Sequence, residues 1–243
     1  MNKVAKVIWN ELVPVSPVFT TAEVTRRAGM TLANASRELR NLQAHGVVTR
    51  VRRGLWAVPT HPDFSPYAVV PHLFSESESG YVSLLSALNL HGMIEQIPSA
   101  VHIVTTSQRP ILMTPTATYA FYRIEKALFG GFKAYRRTGN FDIATAEKAL
   151  FDTLYFSSRK GRRFAFLPEV ELPAGFSSRE VEGWIRRISH TPLRTAVQRR
   201  WSQLTHRASW SDVAERRSAE IRSGKVKPIP AAKARAQARA RLK

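Results

Sequence analysis

The side chains best suited to chemistry in this sequence are arginines, interspersed with an asparagine and small residues, between residues 31 and 53. A guanidinium makes paired hydrogen bonds to a phosphate or to guanine, and a carboxamide makes a similar pair to adenine. Such residues hold a polyanion by charge and recognise base edges in a groove. The candidate contact residues are Thr31, Ala33, Asn34, Arg37, Arg40, Arg50, Arg52 and Arg53.

A helix over residues 31–44 must position the first of these side chains. Its apolar residues recur at helical spacing and are expected to face a core, while the opposite arc carries Asn34, Arg37 and Arg40. A polar helix face is most often only solvated, and that alternative stays open for this helix taken alone. The residues assigned to the core are Leu32, Ala35, Leu39 and Leu42.

Two further helices are predicted before this one. Apolar residues at helical spacing predict a first helix over residues 3–12. Thr20 and Glu23 have the spacing of a capping box, which predicts the start of a second helix. Gly29 is expected to end that second helix. The sequence therefore predicts a helix-turn-helix whose second member carries the arginines.

A basic hairpin is predicted directly after the helices. Residues 47–51 are rich in β-branched side chains, Gly54 marks a turn, and residues 55–58 return as a second strand. We expect Trp56 to pack at the base of the hairpin rather than to stack on a base. Helix, turn, helix and basic hairpin together predict a winged helix-turn-helix over residues 1–60, a module typical of DNA-binding proteins.

The overall charge agrees with a phosphate-rich partner. The chain of 243 residues has a formal net charge of +19. Residues 1–60 hold nine Lys and Arg against three Glu, and residues 215–243 hold ten against two. The sequence has no cysteine, which excludes disulfides and thiolate metal sites. It also has neither a secretory signal nor a membrane-spanning stretch, so we expect a cytoplasmic protein that does not contact a membrane.

The rest of the chain is predicted to form a linker over residues 61–79, an α+β domain over residues 80–210 and a basic tail over residues 211–243. The fold class predicted for the whole chain is α+β, with a mostly helical second domain. Within that domain we predict helices over residues 81–90, 143–156, 179–189 and 193–204, and strands over residues 100–106 and 117–124.

The winged helix followed by three motifs of this second domain resembles the arrangement of the AbiEi antitoxins, over roughly residues 5–205. The first consists of Tyr81, Ser83, Ser86, Ala87, Leu88, His91 and Gly92. The second consists of Pro98 and Thr105, and the third of Ala144, Glu147, Lys148, Ala149, Leu150, Asp152 and Tyr155. The third is the most specific. One departure is Ala146, where the family commonly has proline.

The resemblance implies a protein with two roles in a type IV toxin–antitoxin system that aborts phage infection. Its winged helix would bind inverted repeats in its own promoter and repress transcription, as a dimer or cooperatively. Its second domain would counter a nucleotidyltransferase toxin without forming a stable complex with that toxin. The residues of this chain to which the resemblance assigns a role in the antitoxin domain are Tyr81, Ser83, Ser86, His91, Glu147, Lys148 and Asp152. A stand-alone regulator and a protein-interaction module without a toxin partner stay open.

No catalytic, metal-binding or cofactor-binding pattern is present in the sequence, so we expect no enzymatic activity, metal or cofactor. Glu147, Lys148 and Asp152 are the residues that would suit a nuclease. Because Lys148 and Asp152 are one helical turn apart, a simple ion pair is the better account of them. We expect the basic tail to be mobile in the free protein and to become ordered along DNA phosphates, the alternative being a tail that only aids solubility.

Overall fold

The chain forms two compact units, Met1–Val197 and Gln198–Lys243. The computed structural model describes residues 3–137, 140–159 and 168–222, with the backbone alone for residues 207–222. Helices and strands occur together in the first unit, which confirms the predicted α+β class. Most of the predicted basic tail, residues 223–243, lies outside the described residues.

The N-terminal part of the first unit contains three short helical segments and a small sheet. Their bounds are α1 (Lys3–Val7), which continues as a π-helix (Ile8–Leu12), β1 (Val18–Thr20), α2 (Thr21–Ala28), α3 (Leu32–Ala44), β2 (Thr49–Arg52) and β3 (Leu55–Ala57). The sheet is antiparallel, with β3 between β1 and β2. The predicted order of helix, turn, helix and hairpin is therefore present in the structure.

These elements enclose a hydrophobic core of their own. Ala35 and Leu39 of α3 are fully buried in it, as predicted, and Leu42 packs at its edge. The prediction for Leu32 was wrong, because this side chain is 59% exposed. Leu32 is the first residue of α3, and helical side chains lean towards the N-terminus, so it lies beyond the packed face. The core residues are Val4, Val7, Ile8, Leu12, Val13, Phe19, Val24, Ala28, Ala35, Leu39, Val48, Trp56 and Val58.

A larger sheet with helices follows. Its bounds are β4 (Gly80–Val82), α4 (Leu84–Leu90), β5 (Val101–Thr105), β6 (Leu112–Met113), β7 (Thr118–Arg123), β8 (Phe132–Tyr135), β9 (Phe141–Ala144), α5 (Ala146–Ser158), α6 (Ser178–Arg186) and α7 (Thr191–Arg222). The strand order is β6-β7-β5-β4-β9-β8. The pairs β5–β7 and β4–β9 are parallel, and the other neighbours are antiparallel.

Two predicted helices begin later in the structure than in the sequence-based assignment. Residues 80–82 form β4 before α4 begins at Leu84, and residues 141–144 form β9 before α5 begins at Ala146. Both strands are buried in the sheet and their apolar residues run directly into an apolar helix. Hydrophobic periodicity does not separate a short buried strand from a buried helix, which explains the error.

The segment predicted as a linker contains regular structure. Pro66–Leu73 is a 3-10 helix in which Ala68, Val69, Val70 and Leu73 are buried. The start of α7 belongs to the first unit, and the rest of this helix, to Arg222, belongs to the second. The helix predicted over residues 193–204 is thus present and continues into the segment predicted as a tail.

Candidate nucleic-acid interface

Helix α3 displays its polar arc to solvent. Thr31 caps the helix by accepting a hydrogen bond from the backbone N–H of Asn34 at 3.3 Å. Nη2 of Arg37 donates to Oδ1 of Asn34 at 3.4 Å, so these two side chains lie together one turn apart. Thr31, Ala33, Asn34, Arg37 and Arg40 are all exposed. The residues predicted to form the polar face of this helix are therefore exposed to solvent, as expected.

Helix α2 and the turn after it hold α3 in place. Oγ1 of Thr20 accepts from the N–H of Glu23 at 3.2 Å, and a carboxylate oxygen of Glu23 accepts from the N–H of Thr20 at 2.6 Å. The predicted capping box is thereby confirmed. Gly29 ends α2 with a φ of 58°, in the left-handed region that glycine adopts without strain.

The hairpin β2–β3 carries the second group of arginines. Arg50 lies opposite Trp56 and Arg52 opposite Leu55, so β2 has an irregular register between its two arginines. Val51, between them, is buried, whereas Arg50 and Arg53 are exposed. A bulge of this kind bends a strand and redirects its side chains. The hairpin therefore presents cations on its solvent side.

Trp56 ties the hairpin to the helices. The ring is 3% exposed, and its Nε1–H donates to Oγ1 of Thr21, the first residue of α2, at 2.9 Å. This placement confirms that Trp56 packs at the base of the hairpin. Because the indole donor is satisfied in the core, the bond fixes the position of the hairpin relative to α2.

Arg52 has a partner within the chain. Its Nη2 donates to the backbone carbonyl of His72, in the Pro66–Leu73 helix, at 2.5 Å. The side chain is exposed, but this contact anchors the hairpin to the next segment of the first unit. Arg52 therefore has a structural contact that sequence spacing did not predict, and its role towards DNA stays a prediction.

One residue of this surface was missed. Leu32 is exposed at the N-terminal end of α3, two positions before Asn34. Leu32 thus adds an apolar side chain to the exposed N-terminal end of α3, beside the polar residues that follow it. The sequence signal for the exposure of Leu32 was its position immediately after the cap Thr31, because side chains of the first helical turn project past the packed face.

The resemblance motifs of the second domain converge on one buried carboxylate. Oδ2 of Asp152 accepts hydrogen bonds from Oγ of Ser83 at 2.7 Å and from the hydroxyl of Tyr81 at 3.2 Å, and Oδ1 contacts Nζ of Lys148. All four side chains are fully buried. Leu84, next to Ser83, has a φ of 50°, a left-handed conformation that costs a leucine roughly 1–2 kcal/mol. The network formed by the hydrogen bonds and the ion pair of Asp152 joins β4 to α5.

Aromatic rings surround the ammonium group of that network. Nζ of Lys148 lies 4.7 Å from the ring centroid of Trp184, 4.9 Å from that of Phe151 and 5.6 Å from that of Tyr81. Burial lowers the pKa of Lys148 and raises the pKa of Asp152, and the ion pair opposes both shifts. The predicted ion pair is present, and it is a core contact rather than a surface one.

The other motif residues also join separate elements. Oγ of Ser86 on α4 donates to the carbonyl of Ala100 at 3.1 Å. Nε2 of His91, at the C-terminal end of α4, contacts the carbonyl of Ala144 at 2.8 Å. Oε1 of Glu147 accepts from the N–H of Ser177, ahead of α6, at 3.1 Å. The motif residues of the second domain are thus side chains that hold this domain together.

Within residues 3–137, 140–159 and 168–206, no group of three or more His, Asp and Glu side chains is arranged to hold a metal ion. The same part of the chain contains no helix that is both long enough and apolar enough to cross a membrane. Glu147, Lys148 and Asp152 do not form an open site, because Lys148 and Asp152 are enclosed and Glu147 is bonded to backbone.

The buried His102 predicts a loss of stability in acid. Burial lowers its pKa from 6.5 to about 4. The unfolded chain therefore binds a proton at this residue between about pH 6.5 and 4 while the folded chain does not, so stability decreases as the pH falls through that range. The loss is expected to reach about 3 kcal/mol. Urea unfolding at pH 7 and pH 4 measures it.

The matched variants for this test are His102→Asn and His45→Asn. Asparagine at 102 keeps a polar atom near Oγ of Ser86, which lies 3.2 Å from Nδ1 of His102. His102→Asn is expected to lose much less stability between the two pH values than the unmodified chain. His45 is exposed, so His45→Asn should retain the full loss. Equal losses in all three proteins would contradict the assignment.

Comparison with known proteins supports the N-terminal interpretation. Residues 15–59 match the model of a family described as a transcriptional regulator, AbiEi antitoxin. The matched segment contains α2, α3 and the hairpin, and so all eight candidate contact residues. A comparison with curated proteins found no match. The resemblance of this chain to the AbiEi antitoxin transcriptional regulators is thus confirmed over residues 15–59.

Proposed function

We propose that this chain is a DNA-binding transcriptional repressor that acts at its own promoter. The observation that carries the proposal is the exposure of Asn34, Arg37 and Arg40 on α3 next in sequence to a hairpin with exposed Arg50 and Arg53. In this assignment the N-terminal module is a winged helix-turn-helix, with α3 in a major groove and the hairpin on the adjacent backbone. The family match over residues 15–59 supports the same assignment.

The repressor is proposed to be the antitoxin of a type IV toxin–antitoxin system and to counter a nucleotidyltransferase toxin. It would bind inverted repeats as a dimer or cooperatively, since paired half-sites require two recognition helices. Its site of action would be the cytoplasm, where the promoter is accessible. No catalysis is assigned to it. The antitoxic role would belong to the second domain, whose motif residues join its helices and strands.

Substitution of Arg37 by alanine tests the assignment of α3. We expect Arg37→Ala to relax sequence preference at one base-pair position, at a cost of about 1–3 kcal/mol there, because a bidentate contact to a base edge is lost. The measurement is the affinity of the variant for a set of single-base substitutions in the upstream duplex. Arg186→Ala, which removes an exposed arginine from α6, is the control.

Two results would count against this assignment. Equal loss of affinity on every duplex would make Arg37 a phosphate contact only. Affinity that neither varies with sequence nor changes in the variant would instead favour a protein-interaction module.

A further inference from the structure

A cavity opens at the carboxyl ends of two parallel strands. The strands β5 and β7 run side by side, and the cavity of about 610 Å³ is lined by residues that end or directly follow each of them, Thr106 and Gln108 after β5 and Arg123 to Lys126 at the end of β7. In open α/β sheets, ligands bind in the crevice beyond the carboxyl ends of parallel strands, and the β5–β7 pair has this arrangement locally. The volume lies in the range of small-molecule sites.

The charges around this cavity favour an anion. Arg123, Lys126 and Arg159 line it together with one carboxylate, that of Glu125. Oε1 of Glu125 accepts a hydrogen bond from the hydroxyl of Tyr155 at 3.3 Å. Among the described residues that line the cavity, three cations stand against a single acidic group, and this excess of positive charge attracts a phosphate more strongly than a neutral ligand.

One of these cations is held in position. Nη1 of Arg159 donates to the backbone carbonyl of Arg123 at 3.2 Å. Its guanidinium also lies over the rings of Tyr155 and Phe156, at 5.6 Å and 5.9 Å from their centroids. A guanidinium fixed in this way has less rotational freedom to lose when it binds a phosphate.

The remaining lining is aromatic and polar. Phe121, Tyr122 and Phe156 line the cavity with the 6–7% of their surface that is exposed, and the ring centroids of Tyr122 and Phe156 lie 5.3 Å apart. Gln108 and Thr106 add groups that can hydrogen-bond to a base edge. Aromatic surface beside the fixed guanidinium of Arg159 suits a ligand that has both a planar base and a phosphate.

We propose that this cavity binds a nucleoside phosphate, with the phosphates near Arg123, Lys126 and Arg159 and the base against the aromatic side chains. A free nucleotide and the terminal nucleotide of a nucleic-acid strand both have such a base and phosphate. This site is separate from the DNA-binding surface of α3 and the hairpin, so neither proposal depends on the other.

Calorimetric titration of the full chain tests the proposal. The probes are the four ribonucleoside triphosphates, inorganic triphosphate, and a 5′-phosphorylated trinucleotide. We expect at least one nucleoside-containing probe to bind with a Kd below about 1 mM and at least about tenfold more tightly than inorganic triphosphate. Binding of mononucleotides indicates a free nucleotide as ligand, and binding of the trinucleotide alone indicates a strand end.

Substitutions at exposed positions locate the site. Arg159→Gln and Arg123→Gln are each expected to weaken binding by about tenfold or more, because each removes a charge-assisted contact. Arg179→Gln and Arg186→Gln, both at exposed positions of α6 outside the two proposed sites, should leave the Kd unchanged. The proposal is overturned if no probe binds, if inorganic triphosphate binds as tightly as the nucleotides, or if the control variants weaken binding as much as Arg159→Gln.

Discussion

Replacement of Asp152 by alanine is expected to lower the free energy of unfolding by about 3–5 kcal/mol. The substitution would leave Nζ of Lys148 buried among aromatic rings without its carboxylate, and would deprive the hydroxyls of Tyr81 and Ser83 of their acceptor. An unpaired charge in a closed core is among the most expensive defects in a folded protein. Urea unfolding at pH 7, followed by circular dichroism, measures the change.

A companion pair of variants separates the ion pair from packing. Lys148→Met is also expected to destabilise the chain, since it leaves the carboxylate of Asp152 without its cation. The double variant Lys148→Met/Asp152→Leu should lose less stability than the sum of the single changes, because neither charge is then buried alone. Asp63→Ala, at an exposed position, is the control. Additive losses would show that the two residues do not act as a pair.

Substitution of the hairpin arginines is expected to have the second large effect, a loss of affinity for DNA. We expect the double variant Arg50→Ala/Arg53→Ala to bind the upstream duplex and an unrelated duplex more weakly by similar factors, because in the proposed assignment the hairpin lies on the DNA backbone and its arginines contact phosphates. The slope of log affinity against log salt should become shallower by about 0.9 for each phosphate contact removed. Fluorescence anisotropy with labelled duplexes over a series of salt concentrations measures both quantities.

This result differs from the one expected for α3. Arg37→Ala should change the preference among sequences, whereas the hairpin variant should change affinity for all of them. The substitutions leave Trp56 and its bond to Thr21 untouched, so we expect the module to keep its fold. Loss of preference without a change in salt slope would instead indicate that the hairpin contacts bases.

The N-terminal module could be predicted from sequence because its determinants are local. The capping box of Thr20 and Glu23 involves residues three apart, and Gly29 ends α2 at the position its conformation requires. The exposure of Arg37 and Arg40 follows from the 3.6-residue period once Ala35 and Leu39 are placed in the core. Leu32 was the exception, because periodicity does not account for the end of a helix.

The second domain could be predicted only in part because its contacts are distant in sequence. The pair Lys148–Asp152 is local and was expected. The convergence of Tyr81 and Ser83 on the same carboxylate spans about 70 residues and depends on the pairing of β4 with β9. The bond from Arg52 to the carbonyl of His72 likewise depends on where the Pro66–Leu73 helix packs. Such contacts follow from the sheet topology, which hydrophobic periodicity does not predict.

We propose that the exposed arginines of α3 and the hairpin form a sequence-specific DNA-binding surface. The most direct test is the affinity of the full chain for a duplex from its own upstream region, compared with a shuffled duplex of equal composition, between about 50 and 200 mM salt. The account predicts a preference of at least about a thousandfold for the upstream duplex, with affinities that fall steeply as salt increases. Equal affinity for the two duplexes, or binding that does not respond to salt, would contradict it.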